Sequence, residues 1–120
     1  MTRKEVTNFR CLDFSKWVRE NLPDSSTGFS ASDLDFVLWN WKTKKVMLIE
    51  IKTRGADIKK GQYTMWKLLN KWIKAGIDND WNYAGFYLIQ FQNSNFSDGK
   101  CFLNRREISE ENLIKVLSLC

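Results

Sequence analysis

Histidine is absent from all 120 residues. That absence excludes Ser-His-Asp and Cys-His nucleophilic catalysis, and histidine-dependent metal nucleases with them. Cysteine is scarce: Cys11, Cys101 and Cys120 are odd in number and far apart, with no C-x-x-C pair. The pattern argues against a structural zinc site and for reduced, partly buried thiols. No apolar run approaches the roughly 18 residues of a membrane span. The first ten residues, MTRKEVTNFR, have no apolar signal-like stretch, so a cytoplasmic protein without a membrane partner is expected. Any hydrolytic chemistry must then rest on carboxylates, lysine and a metal ion.

What is present points to one globular domain over residues 1–120: 43% of residues are hydrophobic and 14% aromatic, enough for one core in a chain of this length. Net charge is +5, from 19 Lys and Arg against 14 Asp and Glu. A basic balance favours a polyanionic partner such as nucleic acid. Six tryptophans leave open a protein interface, with Trp39 and Trp41 exposed on a hairpin.

The stretch from Ser32 to Gln62 organises the rest. Two apolar runs, Phe36-Val37-Leu38-Trp39 and Val46-Met47-Leu48-Ile49, read as strands joined by the polar turn Asn40 to Lys45. Asp33 and Asp35 open the first strand, and Glu50-Ile51-Lys52 ends the second. A strand has a side-chain period of two, so Glu50 and Lys52 share a face, and hairpin pairing lets Asp35 lie across from them. Two carboxylates and an ammonium converging on an apolar sheet are costly for structure alone. They suit a hard cation such as Mg²⁺, which binds one or two carboxylates and keeps several waters. The competing reading is a surface Glu50–Lys52 pair, worth roughly 0–1 kcal/mol, with Asp33 or Asp35 capping a turn.

Asp35, a strand-turn-strand gap, Glu50-Ile51-Lys52 and a helix-borne Gln62 together resemble the PD-(D/E)XK, restriction-endonuclease-like nuclease superfamily. Leu34 replaces the motif's proline, and the match covers Asp33 to about Leu69. Its small single-domain members include Holliday-junction resolvases and VRR-NUC-type nucleases. The resemblance implies a Mg²⁺- or Mn²⁺-dependent endonuclease acting on DNA, branched or junction DNA included. It implies Asp35, Glu50 and the Ile51 carbonyl as metal ligands, with Lys52 and Gln62 as catalytic residues. It also implies an additional acid from the first helix, for which Glu20 is the candidate and Asp13 the second. Pairing of Glu20 with Lys16 is the bland alternative. Ser30, Ser32, Arg54, Lys59 and Lys60 are the candidates for nucleic-acid contact, and a homodimer would serve two-strand cutting. An inactive nucleic-acid- or partner-binding module on the same fold is the alternative function.

Residues 1–8 are polar and expected to pack loosely. A first helix runs from Phe9 to Leu22 with Phe14, Trp17 and Val18 on one face, and Pro23 stops it. Residues Asp24 to Ser32 read as a Ser/Gly-rich loop, and Thr53 to Asp57 as a turn. Tyr63, Trp66, Leu69 and Ile73 define a helix from about Lys59 to Ala75, with Gly76 as its C-cap. Trp81 to Phe91 reads as a long strand with Gly85 as a bulge. Cys101 to Asn104 reads as a short edge strand, and a last helix runs from Glu110 to Leu119 behind Ser109. The order α-β-β-α-β-β-α predicts an α/β fold with a mixed sheet, and the resemblance makes that a restriction-endonuclease-like core.

Overall fold

The computed structural model describes residues 10–32 and 34–120, with residues 10–12 and 25 by backbone alone. The segment 1–8, the expected helix start at Phe9, Asp33 and the Cys11 side chain, read above, lie outside the described residues. The chain divides after Ser32 into two compact units.

In the first unit, helix α1 (Arg10–Asn21) carries the expected apolar spacing. Phe14 and Trp17, three residues apart and so on one face, stack at 5.9 Å between ring centroids, and both rings remain exposed. Leu22 N–H still bonds to the Val18 carbonyl at 3.0 Å; Pro23, which has no N–H, then ends the helix. The loop after it holds a short 3₁₀ turn, Ser25–Thr27. Asp24 braces that turn by accepting from Ser26 N–H at 3.0 Å.

The second unit is a five-stranded mixed sheet in the order β1-β2-β3-β4-β5. Strand β1 (Phe36–Asn40) pairs antiparallel with β2 (Lys45–Lys52). Helix α2 (Lys60–Gly76) then crosses to β3 (Asn82–Phe91), which pairs parallel with β2. Strands β4 (Cys101–Leu103) and β5 (Arg106–Glu107) continue antiparallel, and α3 (Glu110–Leu117) closes the unit. The mixed α/β class and the order of helices and strands follow the sequence reading, with one addition: β5 takes the edge expected for Cys101–Asn104. It turns back through Asn104 and Arg105, both at positive φ (49° and 71°), a two-residue hairpin of the primed kind.

β2 lies second in the sheet, and its residues Met47 to Glu50 are all buried. That explains an unbroken apolar run instead of an alternating one. Met47 and Ile49 join Ile89, Cys101, Leu113 and Leu119 in the main core, on the side α3 covers. The even-numbered side chains of β2 face the other way. On β3, Phe86 lies beside Leu48 and Leu88 beside Glu50. Trp66 of α2 packs on this side, its ring stacked on Phe86 at 4.5 Å.

The register on β3 depends on Gly85. Val46 pairs with Tyr83 and Met47 with Gly85, so Ala84 is the extra residue of a bulge. Gly85 has φ +119°, a conformation closed to ordinary side chains. The ends of α2 differ by one residue from the periodicity: Gly76 is its last residue and Ile77 its C-cap. At α3, Ser109 accepts from Asn112 N–H at 3.2 Å, the expected N-cap.

Candidate active site

The sheet brings five predicted residues to the C-terminal end of β2. Phe36 pairs with Ile49, so Asp35 arrives one step beyond, alongside Glu50 and Ile51. Its Oδ2 accepts the Ile51 N–H at 2.8 Å. This bond continues the β1–β2 ladder through a side chain. It also ties the carboxylate to the backbone between Glu50 and Lys52. Lys52 is half-buried, and its Nζ donates to Gln62 Oε1 at 3.3 Å. The same oxygen lies 3.5 Å from Lys59 N–H at the start of α2, so it spans the helix start and the strand end. The expected neighbourhood of Asp35, Glu50, Ile51, Lys52 and Gln62 therefore exists, built from three consecutive elements.

Glu50 is 3% exposed. The alternative of an exposed Glu50–Lys52 surface pair does not hold, because the carboxylate has left water. Burial of an ionised carboxylate is costly unless other groups or a cation compensate. Glu50 and Asp35 supply a donor set of the hard-oxygen type that Mg²⁺ and Mn²⁺ favour, with room in the coordination for water and phosphate oxygen. Among the described residues no group of three or more His, Cys, Asp or Glu side chains is placed to hold a metal ion. A cation here would thus rely on two carboxylates.

The remaining predicted residues are placed as follows. Arg54 is exposed at φ 54° and sits beside Gly55 at φ 74° in the turn closed by Ala56 N–H to the Thr53 carbonyl at 3.0 Å. Lys59 caps α2 and Lys60 begins it, and both are exposed. Ser30 and Ser32 are exposed in the first unit. Glu20, also in that unit, is exposed and lies 4.0 Å from Lys16 at i−4, the bland pairing considered for it.

Sequence reasoning passed over Asp57, Gln90 and Arg105. Arg105 donates twice to Asp57, Nη1 to Oδ2 at 2.9 Å and Nη2 to Oδ1 at 3.1 Å. These bonds, then the Ile58 N–H, hold the Asp57 carboxyl below its ordinary range, with the Lys52 charge adding to the effect. Gln90, register partner of Lys52, donates to the Ala56 carbonyl at 3.2 Å. The clamp anchors the 53–57 turn next to the candidate site. No local signal foretold it, since Asp57 and Arg105 are 48 residues apart.

No family model, curated protein or solved structure matches the chain.

Proposed function

We propose that this protein is a Mg²⁺- or Mn²⁺-dependent endonuclease acting on DNA, branched or junction DNA included, with a restriction-endonuclease-like core. The observation that carries the reading is the Glu50 carboxylate, buried near the end of an interior strand beside Asp35 and two positions from a lysine held by glutamine. The β-β-α-β arrangement, in which the strand bearing E-x-K leads through α2 into a parallel neighbour, supports the fold part.

Asp35, Glu50 and the Ile51 carbonyl would hold the cation. When bound, it would polarise a phosphoryl oxygen and lower the pKa of a water. Asp35 is fixed by the Ile51 amide, so its second oxygen is oriented before any ligand arrives. Lys52, steered by Gln62, presents an ammonium where negative charge grows on the phosphorane. Gln62 keeps its amide NH₂ for a phosphate oxygen or the attacking water. Exposure of Trp39 (62%) and Trp41 (65%) on the hairpin favours the second reading, a binding module for a partner.

The test is a panel of labelled junction, flap, duplex and single-stranded DNA incubated with Mg²⁺ or Mn²⁺. Wild-type protein is expected to cut at least one member, and Glu50→Gln to cut none while keeping its circular dichroism spectrum. Failure of the wild type on every substrate with either ion sinks the enzyme reading.

A further inference from the structure

The two edges of the sheet are built differently. The β5 edge is two residues long, and both, Arg106 and Glu107, are charged and exposed. Short length and charge are the usual devices that stop an edge strand from pairing with another chain. The β1 edge has neither. Its five residues, Phe36 to Asn40, include no charge, proline or glycine, and its register with β2 runs without a bulge. β2 is its one neighbour in the sheet, and among the described residues no other main chain bonds to it. Val37 (50%) and Trp39 (62%) stand exposed on one face of the strand.

We infer that β1 is a dimerisation edge, pairing antiparallel with β1 of a second copy of this chain and joining two sheets into one. The inference does not depend on the nuclease reading. Identical strands related by a two-fold axis pair each residue reciprocally. The axis must pass through a residue if both cores are to stay on one side, because a one-residue slip turns a strand over. Centring it on Leu38 is the register that pairs all five residues. On the core side it sets Leu38 against Leu38 and Phe36 against Asn40. On the open side it sets Val37 of each copy against Trp39 of its partner. Both exposed apolar side chains are then covered by aromatic–β-branched pairs, a favourable cross-strand combination.

Charge fits the same register. Asp35 of one copy comes opposite Trp41 of its partner, so the hairpin tip with Lys42 and Lys44 lies beside an acidic strand start. Neither lysine belongs to an ion pair among the described residues. The Val37 and Trp39 side chains, the exposed Trp41 rings and the paired backbones amount to on the order of 1,000 Å² over both copies. That is the lower limit for a specific interface, so a micromolar dimer is expected. Val37 is the register partner of Leu48, and Glu50 shares the face of Leu48. The two candidate sites would therefore face the same way, roughly 20–30 Å apart.

Sedimentation velocity of the full chain, from low micromolar to submillimolar concentration, tests the inference. A monomer–dimer equilibrium is expected. Val37→Lys and Trp39→Glu, both at exposed positions, should keep the circular dichroism spectrum and each weaken the dimer at least tenfold. Mixing these two variants should restore it, since the heterodimer sets Lys against Glu on one side of the axis and keeps the native Trp–Val pair on the other. Trp72→Lys, on α2 at 55% exposure, should change nothing, which separates strand pairing from general tryptophan adhesion. A monomer at every concentration, a dimer that both β1 variants leave intact or that Trp72→Lys dissolves, or a mixture no tighter than its components overturns the inference. Cleavage is read in a separate assay, so failure here leaves the nuclease proposal standing, and the reverse also holds.

Discussion

Lys52 separates catalysis from architecture at the scale of one side chain. Its only hydrogen bond among the described residues is to Gln62 Oε1 at 3.3 Å, a weak contact whose loss should cost little stability. Lys52→Met is therefore expected to keep the melting temperature and Mn²⁺ affinity, because Asp35 and Glu50 remain. Cleavage should nonetheless fall by roughly 10²–10³, the usual effect of losing a preorganised charge at the transition state. Lys52→Arg should rescue only in part, since a planar guanidinium replaces a compact ammonium. Cleavage rate and Mn²⁺ titration on one preparation decide it; normal turnover in the Met variant removes Lys52 from the site. The neighbours of Lys52 were legible because strand geometry is periodic: two residues along β2, and straight across a hairpin, place Asp35, Glu50 and Lys52 together without further information. The Asp57–Arg105 clamp and the Trp66–Phe86 stack were not legible. Both depend on which side chains meet across 48 residues or across a helix–sheet interface, and no local pattern encodes that.

At the scale of elements, Gly85 sets the register of β3 against β2. Beyond the bulge, Met47 pairs with Gly85 and Glu50 with Leu88, so the bulge determines what lies beside the carboxylate. A Cβ at Gly85 would meet Tyr87 Cε2 at 3.7 Å, an ordinary contact; the obstacle is φ +119°. Gly85→Ala is expected to destabilise by about 1–2 kcal/mol through backbone strain alone. Gly61, inside α2, has open space around it and no positive φ. Gly61→Ala should stabilise by about 0.5–1 kcal/mol. Urea denaturation of the pair measures both, and equal effects would remove the strain argument. The bulge was readable because a glycine interrupts an otherwise apolar strand. The β4–β5 hairpin was not, because its left-handed turn is built from Asn104 and Arg105 in place of the glycine that usually marks such turns.

At the scale of the whole molecule, the net charge is +5, and part of the positive charge lies beside the candidate site. Among the described residues, Lys16, Lys100, Arg105 and Lys115 are engaged in ion pairs. Arg54, Lys59 and Lys60 are exposed, belong to none of these pairs, and cluster in sequence between the end of β2 and the start of α2. They flank Lys52 and Gln62, where an incoming phosphate backbone would pass. Each phosphate contact releases a counterion and contributes roughly 0.9 to the slope of log K against log salt for duplex DNA. Three contacts would thus give roughly 2.7 of the total slope. Duplex binding by Glu50→Gln is expected to weaken with added salt. Combining Arg54→Ala, Lys59→Ala and Lys60→Ala should flatten the slope by nearly that amount while leaving the fold unchanged, since none of the three side chains is buried. Anisotropy titrations across a salt series check this. A slope unchanged in the triple variant would move the phosphate track to another surface. A flat dependence in the parent would instead favour a protein partner, and would give the exposed tryptophans of the hairpin the larger role.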